Sequence, residues 1–226
     1  MLIAELFNFT PNVNDVKFLY RGVEFMIIGL TGGIASGKST VIRFLNEFGA
    51  SIIDADRISR EQTAPGGEAL LDIEKTFGSE YFYSDGSLNR SKLGKLIFNN
   101  SNAKEKLENI LHPRIDRRIK QLTREKYNQN PGQPVIVDIP LLFEIEKQHE
   151  YDETWLVWVD YKTQLDRLIN RDGFTLKDAE NRIKAQIPLN EKVALADVVI
   201  DNTGTLKKTK TQVKYNYLSV VKKMRN

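Results

Sequence analysis

The chain contains no cysteine, so neither disulfides nor cysteine-bound metal can organise it, and a reducing, cytoplasmic setting is the expectation. Two histidines, His112 and His149, are too few for a histidine zinc site. No apolar run approaches the roughly 18 residues that a membrane-crossing helix needs. The longest candidate, 135–143, is interrupted by Asp138. A secretory leader needs an early positive charge and a continuous apolar stretch; residues 1–25 have neither, since Glu5 precedes the first Lys or Arg. Internal repeats and low-complexity tracts are also missing. So is a strong charge of one sign: 33 basic residues face 30 acidic ones. Seven positive charges fall within 207–226, with no acid among them, which leaves the remainder net acidic. That balance does not give a whole-surface nucleic-acid footprint. The basic tail is expected to be the solvated face of a closing helix, with polyanion binding as the alternative.

What is present suits one large domain, or a core domain with an insertion, in a chain of 226 residues. Residues 1–25 differ in character from the rest. Met26 stands directly before a strand-like run, so an N-terminal extension or upstream start is expected over 1–25, with an added edge element as the alternative. From there, short segments apolar on both faces alternate with helical patterns. The segments 26–30, 51–54, 134–139, 154–159 and 196–200 read as buried parallel strands. Helices are expected over 39–48, 104–127, 163–171, 176–186 and 205–224. This alternation predicts a doubly wound α/β sheet of five parallel strands. The stretch between Asp56 and Pro134 far exceeds the roughly 10–12 residues of a plain crossover. It is helical in flavour, and is expected to be an insertion with its own job. The boundaries are therefore 26–60 and 130–226 for the core, 61–129 for the insertion and 163–186 for a small lid.

The strongest motif is Gly32-Gly33-Ile34-Ala35-Ser36-Gly37-Lys38-Ser39, followed by Thr40. It fits the phosphate-loop pattern G-x-x-x-x-G-K-[ST], and it follows an apolar strand and opens a helix, as the mechanism requires. Glycines let the backbone approach an anion closely, successive amides form a concave nest, and the helix N-terminus adds a positive dipole end. Lys38 would reach the β/γ-phosphates, Ser39 would ligate Mg²⁺, and Thr40 would bond a phosphate oxygen. The loop implies a nucleoside triphosphate and Mg²⁺ without saying what is done with them.

No guanine-reading Asn-Lys-x-Asp or Thr-Lys-x-Asp motif and no Leu-Ser-Gly-Gly-Gln signature is present, against a GTPase and a transporter ATPase. The segment 29–40 instead resembles the opening motif of dephospho-CoA kinases. So do Ile53-Asp54-Ala55-Asp56, Leu111-His112-Pro113, Asp138-Ile139-Pro140-Leu141-Leu142-Phe143-Glu144, Gln164-x-x-Arg167-x-x-x-Arg171-Asp172, Arg182-Ile183-x-x-Gln186, and the stretch from Ala196 to Gly204 that holds Asp197, Val199, Ile200 and Asn202. The resemblance runs from about 26 to 204. Ala35 departs from it, because the family usually has glycine there; only a left-handed backbone would make alanine costly. The resemblance implies a three-layer α/β/α P-loop NTPase fold, with a helical acceptor-binding insertion and a small helical lid. It also implies transfer of the ATP γ-phosphoryl group to the ribose 3′-hydroxyl of dephospho-CoA. A related P-loop kinase for a nucleoside or other small alcohol is the alternative. A nucleotide-dependent, polyanion-binding regulator that uses the basic tail is a third reading.

Roles follow from position and resemblance together. Asp56, at a strand end, is the candidate for orienting and deprotonating the acceptor hydroxyl, with a helix N-cap over 57–63 as the structural alternative. Asp54 would project to the same side if the strand continued. Asp138 would hold Mg²⁺ through water, or serve as a structural hydrogen-bonding group. Arg167 and Arg171, four apart, share a helix face and would meet the ATP phosphates; surface pairing with Asp166 and Asp172 is the alternative. Asn202 and Gly204 belong to the adenine-side loop by resemblance. Arg90 and Arg114 are candidates for the acceptor's pyrophosphate. His112 is an acceptor contact or a buried structural residue before a rigid proline turn. Phe77, Tyr81, Phe82 and Tyr83 read as core packing, with pantetheine or adenine stacking as the alternative. Asp172-Gly173 reads as the lid turn, and Thr175 through Asp178 as a capping box.

Overall fold

The computed structural model describes residues 19–20, 23–24 and 26–225; the rest of the expected N-terminal extension lies outside the described residues. β1 (Leu19–Tyr20) and β2 (Val23–Glu24) pair antiparallel with each other only. Five parallel strands form the central sheet: β3 (Ile27–Gly32), β4 (Ser51–Asp54), β5 (Val135–Asp138), β6 (Glu153–Trp158) and β7 (Val198–Asp201), in the order β4-β5-β3-β6-β7. They are the five strands that the sequence leads one to expect, shifted by one or two residues at their ends. Strand two stops at Asp54, short of Asp56.

Alternate residues along these strands enter different cores, as a two-residue period requires. Ile27, Ile53, Val135 and Val137 pack with Ile58, Ile73, Leu111 and Ile115 on one face. Those partners come from α2 (Ala55–Gln62), α3 (Leu70–Phe77) and α5 (Ser101–Gln129). Ile28, Leu30, Ile136, Trp155, Val157 and Ile200 pack on the other face. There they meet Val41 and Leu45 of α1 (Lys38–Glu47) and Val213 and Tyr217 of α9 (Leu206–Lys223). Helices therefore cover both faces of one parallel sheet, a three-layer α/β/α arrangement.

The expected insertion, 61–129, holds α3, α4 (Arg90–Asn99) and the long α5, and α2 leads into it. Asn100 caps α5 by accepting from the Ala103 amide at 3.0 Å. Pro113 lies inside this helix, so the turn expected at His112-Pro113 is absent. An interior proline forfeits one backbone hydrogen bond, and the buried apolar stripe of Leu107, Leu111 and Ile115 carries the helix through it. Beyond β6, α6 (Tyr161–Asn170) and α7 (Leu176–Lys184) occupy the stretch expected as the lid, followed by the short α8 (Leu189–Lys192). Gly173, at φ 73°, makes the turn between α6 and α7, and Thr175 caps α7, its hydroxyl accepting from the Asp178 amide at 3.2 Å and donating to Asp178 Oδ2 at 2.8 Å. No described helix is long and apolar enough to cross a membrane.

Candidate active site

The phosphate loop bridges β3 and α1. Its backbone turns on Gly37, the α1 N-cap at φ 87°, an angle that β-carbons disfavour. A β-carbon at Gly37 would also overlap the Asn202 amide, and one at Gly33 would lie 2.9 Å from Gln164 Nε2 and 3.0 Å from Leu189 Cγ. These glycines are thus required by what packs behind the loop as well as by what binds in front of it. Ala35 has φ 58°, the left-handed region, so this departure from the family pattern carries the strain that makes glycine preferable there. Lys38, the first residue of α1, forms an ion pair with Asp138 at the end of β5. Ser39 is exposed at the helix start, and the Ser36 hydroxyl is buried without a hydrogen-bond partner.

Strand register gathers three carboxylates beside the loop. Asp138 lies level with Leu30 on β3 and with Asp54 on β4. Asp54, rather than Asp56, is the N-cap of α2, accepting from the Arg57 amide at 2.8 Å. This corrects the N-cap alternative for Asp56: the strand ends one residue before α2 begins, and Asp56 falls in the helix's first turn. Asp54 and Asp56 therefore do not line one face of a continuing strand. One carboxyl oxygen of Asp56 is buried without a hydrogen-bond partner. Burial pushes the Asp56 carboxyl above the usual carboxylate range and Asp54 adds to this, while Lys38 and Arg60 pull it down. Burial likewise raises Asp138 against the pull of Lys38, and Asp54 and Asp56 push in the same direction as burial.

The back of the loop is held by the lid and by the β7–α9 turn. Arg167 donates to the carbonyls of Ala35 at 3.0 Å, Ser36 at 3.1 Å and Asn202 at 2.8 Å. Asn202, itself buried, donates to the Ser36 carbonyl at 2.8 Å and accepts from Thr209 at 2.9 Å. Arg167 is thus a backbone clamp in this structure. Arg171 does not share its target: it is exposed and engaged with Asp172 at 2.7 and 2.9 Å, the surface pairing that was the alternative. Gly204 is exposed in the turn before α9. The Ile34 amide points to Gln186 at 2.8 Å, away from the amide nest to which sequence reasoning assigned it. Thr40 donates its amide to the Gly37 carbonyl at 2.9 Å as α1 begins.

The acceptor candidates spread across the insertion. Arg90 donates to the Arg60 carbonyl at 3.0 Å, and the two guanidinium groups lie close enough to repel. Arg114 is engaged within the insertion, with Asp72 of α3 and with the Ile110 carbonyl at 2.6 Å. His112 is buried inside α5, which answers to the structural alternative. Phe77, Tyr81 and Phe82 pack against the first core as expected, whereas Tyr83 is exposed.

A family model for dephospho-CoA kinase matches residues 26–208. The chain belongs to the dephospho-CoA kinase family. Similar curated proteins include a dephospho-CoA kinase of Carboxydothermus hydrogenoformans, 47% identical, with 83% of this chain and 90% of that one covered. Another, from Shouchella clausii, is 46% identical, with 83% and 95% covered. Among solved structures, a Thermus thermophilus protein superposes with a TM-score of 0.73 at 29% identity, covering 86% of this chain and 97% of that one. A dephospho-CoA kinase from Campylobacter jejuni does so at 0.64 and 29%, covering 87% and 98%.

Mg²⁺ takes hard oxygen donors, and Ser39 at the start of α1 and Asp138 at the end of β5 each carry one. Among the described residues no group of three or more Asp, Glu, His or Cys converges tightly enough to hold a metal alone. Three features of this family member escaped sequence reasoning. Arg60 stands beside Arg90. Gln164 and Gln186, quoted in the lid motif without a role, hold the phosphate loop. Glu144 pairs with the fully buried Lys192 at 2.6 Å and accepts from the Ile187 amide at 3.2 Å, tying the strand-end motif to the lid base. Burial pushes the Lys192 ammonium down, and Glu144 opposes that shift.

Proposed function

We propose that this chain transfers the γ-phosphoryl group of ATP to the ribose 3′-hydroxyl of dephospho-CoA, giving CoA and ADP. One observation carries the reading: the buried, unpartnered carboxyl oxygen of Asp56 lies within the field of Lys38, the loop's cation. An alcohol placed between them would donate its hydrogen bond to Asp56 while facing the end of the triphosphate. Phosphoryl transfer runs through a loose transition state, so aligning the hydroxyl should matter more than basicity. Asp56 orients the hydroxyl and receives its proton as the oxygen–phosphorus bond forms.

The remaining roles follow from placement. The loop amides of Gly33, Ala35, Gly37, Lys38 and Ser39 cradle the phosphates, with the hydroxyls of Ser36 and Thr40 beside them, and Lys38 exchanges part of its contact with Asp138 for phosphate oxygens. Ser39 and Asp138 would hold Mg²⁺, which when bound neutralises charge on the β- and γ-phosphates. Arg167 keeps the loop carbonyls turned outward, and Asn202 with Gly204 frames the adenine side. Arg171 leaves Asp172 for the phosphates when the lid, 163–186, closes. Where the insertion, 61–129, meets the core, the repelling cations Arg90 and Arg60 are the place for the acceptor's pyrophosphate, with Arg114 and His112 also on the insertion's side.

The test is ADP release measured with purified protein, ATP and Mg²⁺, with and without dephospho-CoA, and with a panel of nucleosides in its place. Release that depends on dephospho-CoA and on Mg²⁺ is expected. Preference for a nucleoside, or release indifferent to any acceptor, would overturn the reading.

A further inference from the structure

The tip of the phosphate loop is built into the lid. Ile34 and Ala35 pack against Leu168, Ala179 and Ile183, so the small core between α6 and α7 includes two residues of the loop. The peptide flanking Ile34 is bonded on both sides by lid glutamines. Its amide donates to Gln186 Oε1 at 2.8 Å, and its carbonyl accepts from Gln164 Nε2 at 2.9 Å. The chemistry fixes both orientations, because a backbone amide only donates and a carbonyl only accepts. Gln164 is buried, and its Nε2 lies where a side chain on Gly33 would collide.

We infer that Gln164 and Gln186 are positioning residues that fix the phosphate loop to the lid, so that nucleotide grip and lid position are one coupled equilibrium. A loop held this way cannot reshape around a phosphate without moving α6 and α7, and the lid cannot swing without pulling on Ile34. By linkage, nucleotide binding then biases the lid, and lid position sets nucleotide affinity by the same factor. The inference rests on the kinase reading for its biological meaning, but the coupling is readable from nucleotide binding alone.

The experiment compares the full-length protein with Gln164→Met, Gln186→Met and the double variant. Methionine keeps the length and volume of glutamine without its amide. Four quantities are read: Kd for ADP, KM for each substrate, melting temperature, and the nucleotide-induced change in fluorescence of Trp158. The last reports on the lid base, since Trp158 Nε1 bonds Asn190 Oδ1 at 2.9 Å just before α8 ends. Each single variant should raise Kd for ADP and KM for ATP roughly three- to tenfold, the worth of one neutral hydrogen bond. KM for dephospho-CoA should stay within twofold, and the Trp158 response should shrink. The double variant should fall short of the product of the singles, because both act on one peptide. Nucleotide affinities within twofold of wild type would overturn the inference. So would equal rises in both KM values in step with a falling melting temperature, the mark of a merely structural role. Wild-type protein that binds ADP but ignores dephospho-CoA would defeat the kinase reading while leaving the ADP comparison intact.

Discussion

A carboxylate oxygen buried without a partner destabilises a fold, and such groups persist where chemistry needs them. Asp56 is in that position. Its folded-state carboxyl titrates above the ordinary range, so folding takes up a proton between the ordinary value and the raised one. Wild-type stability therefore falls as pH rises through that window. Asp56→Asn escapes the fall: it should melt higher than wild type at pH 8, and the gain should vanish as the pH drops below the ordinary carboxylate value, where the wild-type carboxyl is protonated in the folded and unfolded states alike. The same variant should lose at least a hundredfold in kcat with KM for ATP little changed; near-normal kcat would remove Asp56 from the reaction. Ala35 is a second point of tension. Relief of its left-handed strain on going to glycine, about 1–2 kcal/mol, is offset by the greater unfolded-state freedom of glycine and by the lost methyl contact. Ala35→Gly should accordingly shift stability by no more than about 0.5 kcal/mol, whereas β-branched Ala35→Val should lower it by about 2 kcal/mol in a denaturant titration. Lys38 and Ser39 were legible from sequence because the loop motif is local. That Asp54 rather than Asp56 caps α2 was not, because it turns on where one strand stops, a choice made by pairing with β5 rather than by propensity.

At the level of elements, α6 separates two arginines that sequence spacing treats alike. Arg167 clamps three backbone carbonyls, while Arg171 faces solvent beside Asp172. Arg167→Ala should lower both the melting temperature, by about 3–6 °C, and the affinity for ATP. Arg171→Ala should leave the melting temperature within about 1 °C, in keeping with an exposed pair, while reducing kcat about tenfold or more as a lost phosphate contact. Thermal melts alongside steady-state kinetics distinguish the two patterns, and a reversed pattern would exchange their roles. The strands were readable because each is apolar on both faces, the mark of a parallel sheet under two helical layers. The insertion was readable only as a length anomaly. Its helices are short apart from α5, which was expected over 104–127 and runs from Ser101 to Gln129, held through Pro113 by tertiary packing. The glutamine clamp was invisible for a different reason: Gln164 and Gln186 lie 130 and 152 residues from Ile34, and no local pattern reports a contact made at that range.

Across the whole molecule, the positive C-terminal segment combines two properties that composition alone cannot separate. Along one side of α9, Thr209, Val213, Tyr217, Val220 and Val221 are buried against the sheet. Along the other, Lys207, Lys208, Lys214 and Lys222 are exposed, while Lys210 and Lys223 reach Glu47 and Glu153 and tie the helix to α1 and β6. Removing 207–226 would therefore strip α9 from the layer it shares with α1, and loss of nucleic-acid binding in such a truncation would report unfolding rather than a lost binding site. Charge neutralisation is the informative change. Replacing Lys207, Lys208, Lys214 and Lys222 together by glutamine alters only exposed positions away from the buried stripe, where each substitution is worth within about 0.5 kcal/mol. The quadruple variant should melt within about 3 °C of wild type and turn over ATP with dephospho-CoA within twofold, because the phosphate loop draws its positive field from Lys38, the α1 N-terminus and the lid arginines. A steep loss of turnover in this variant, restored by lowering the salt concentration, would instead show that the tail steers the anionic substrates to the site.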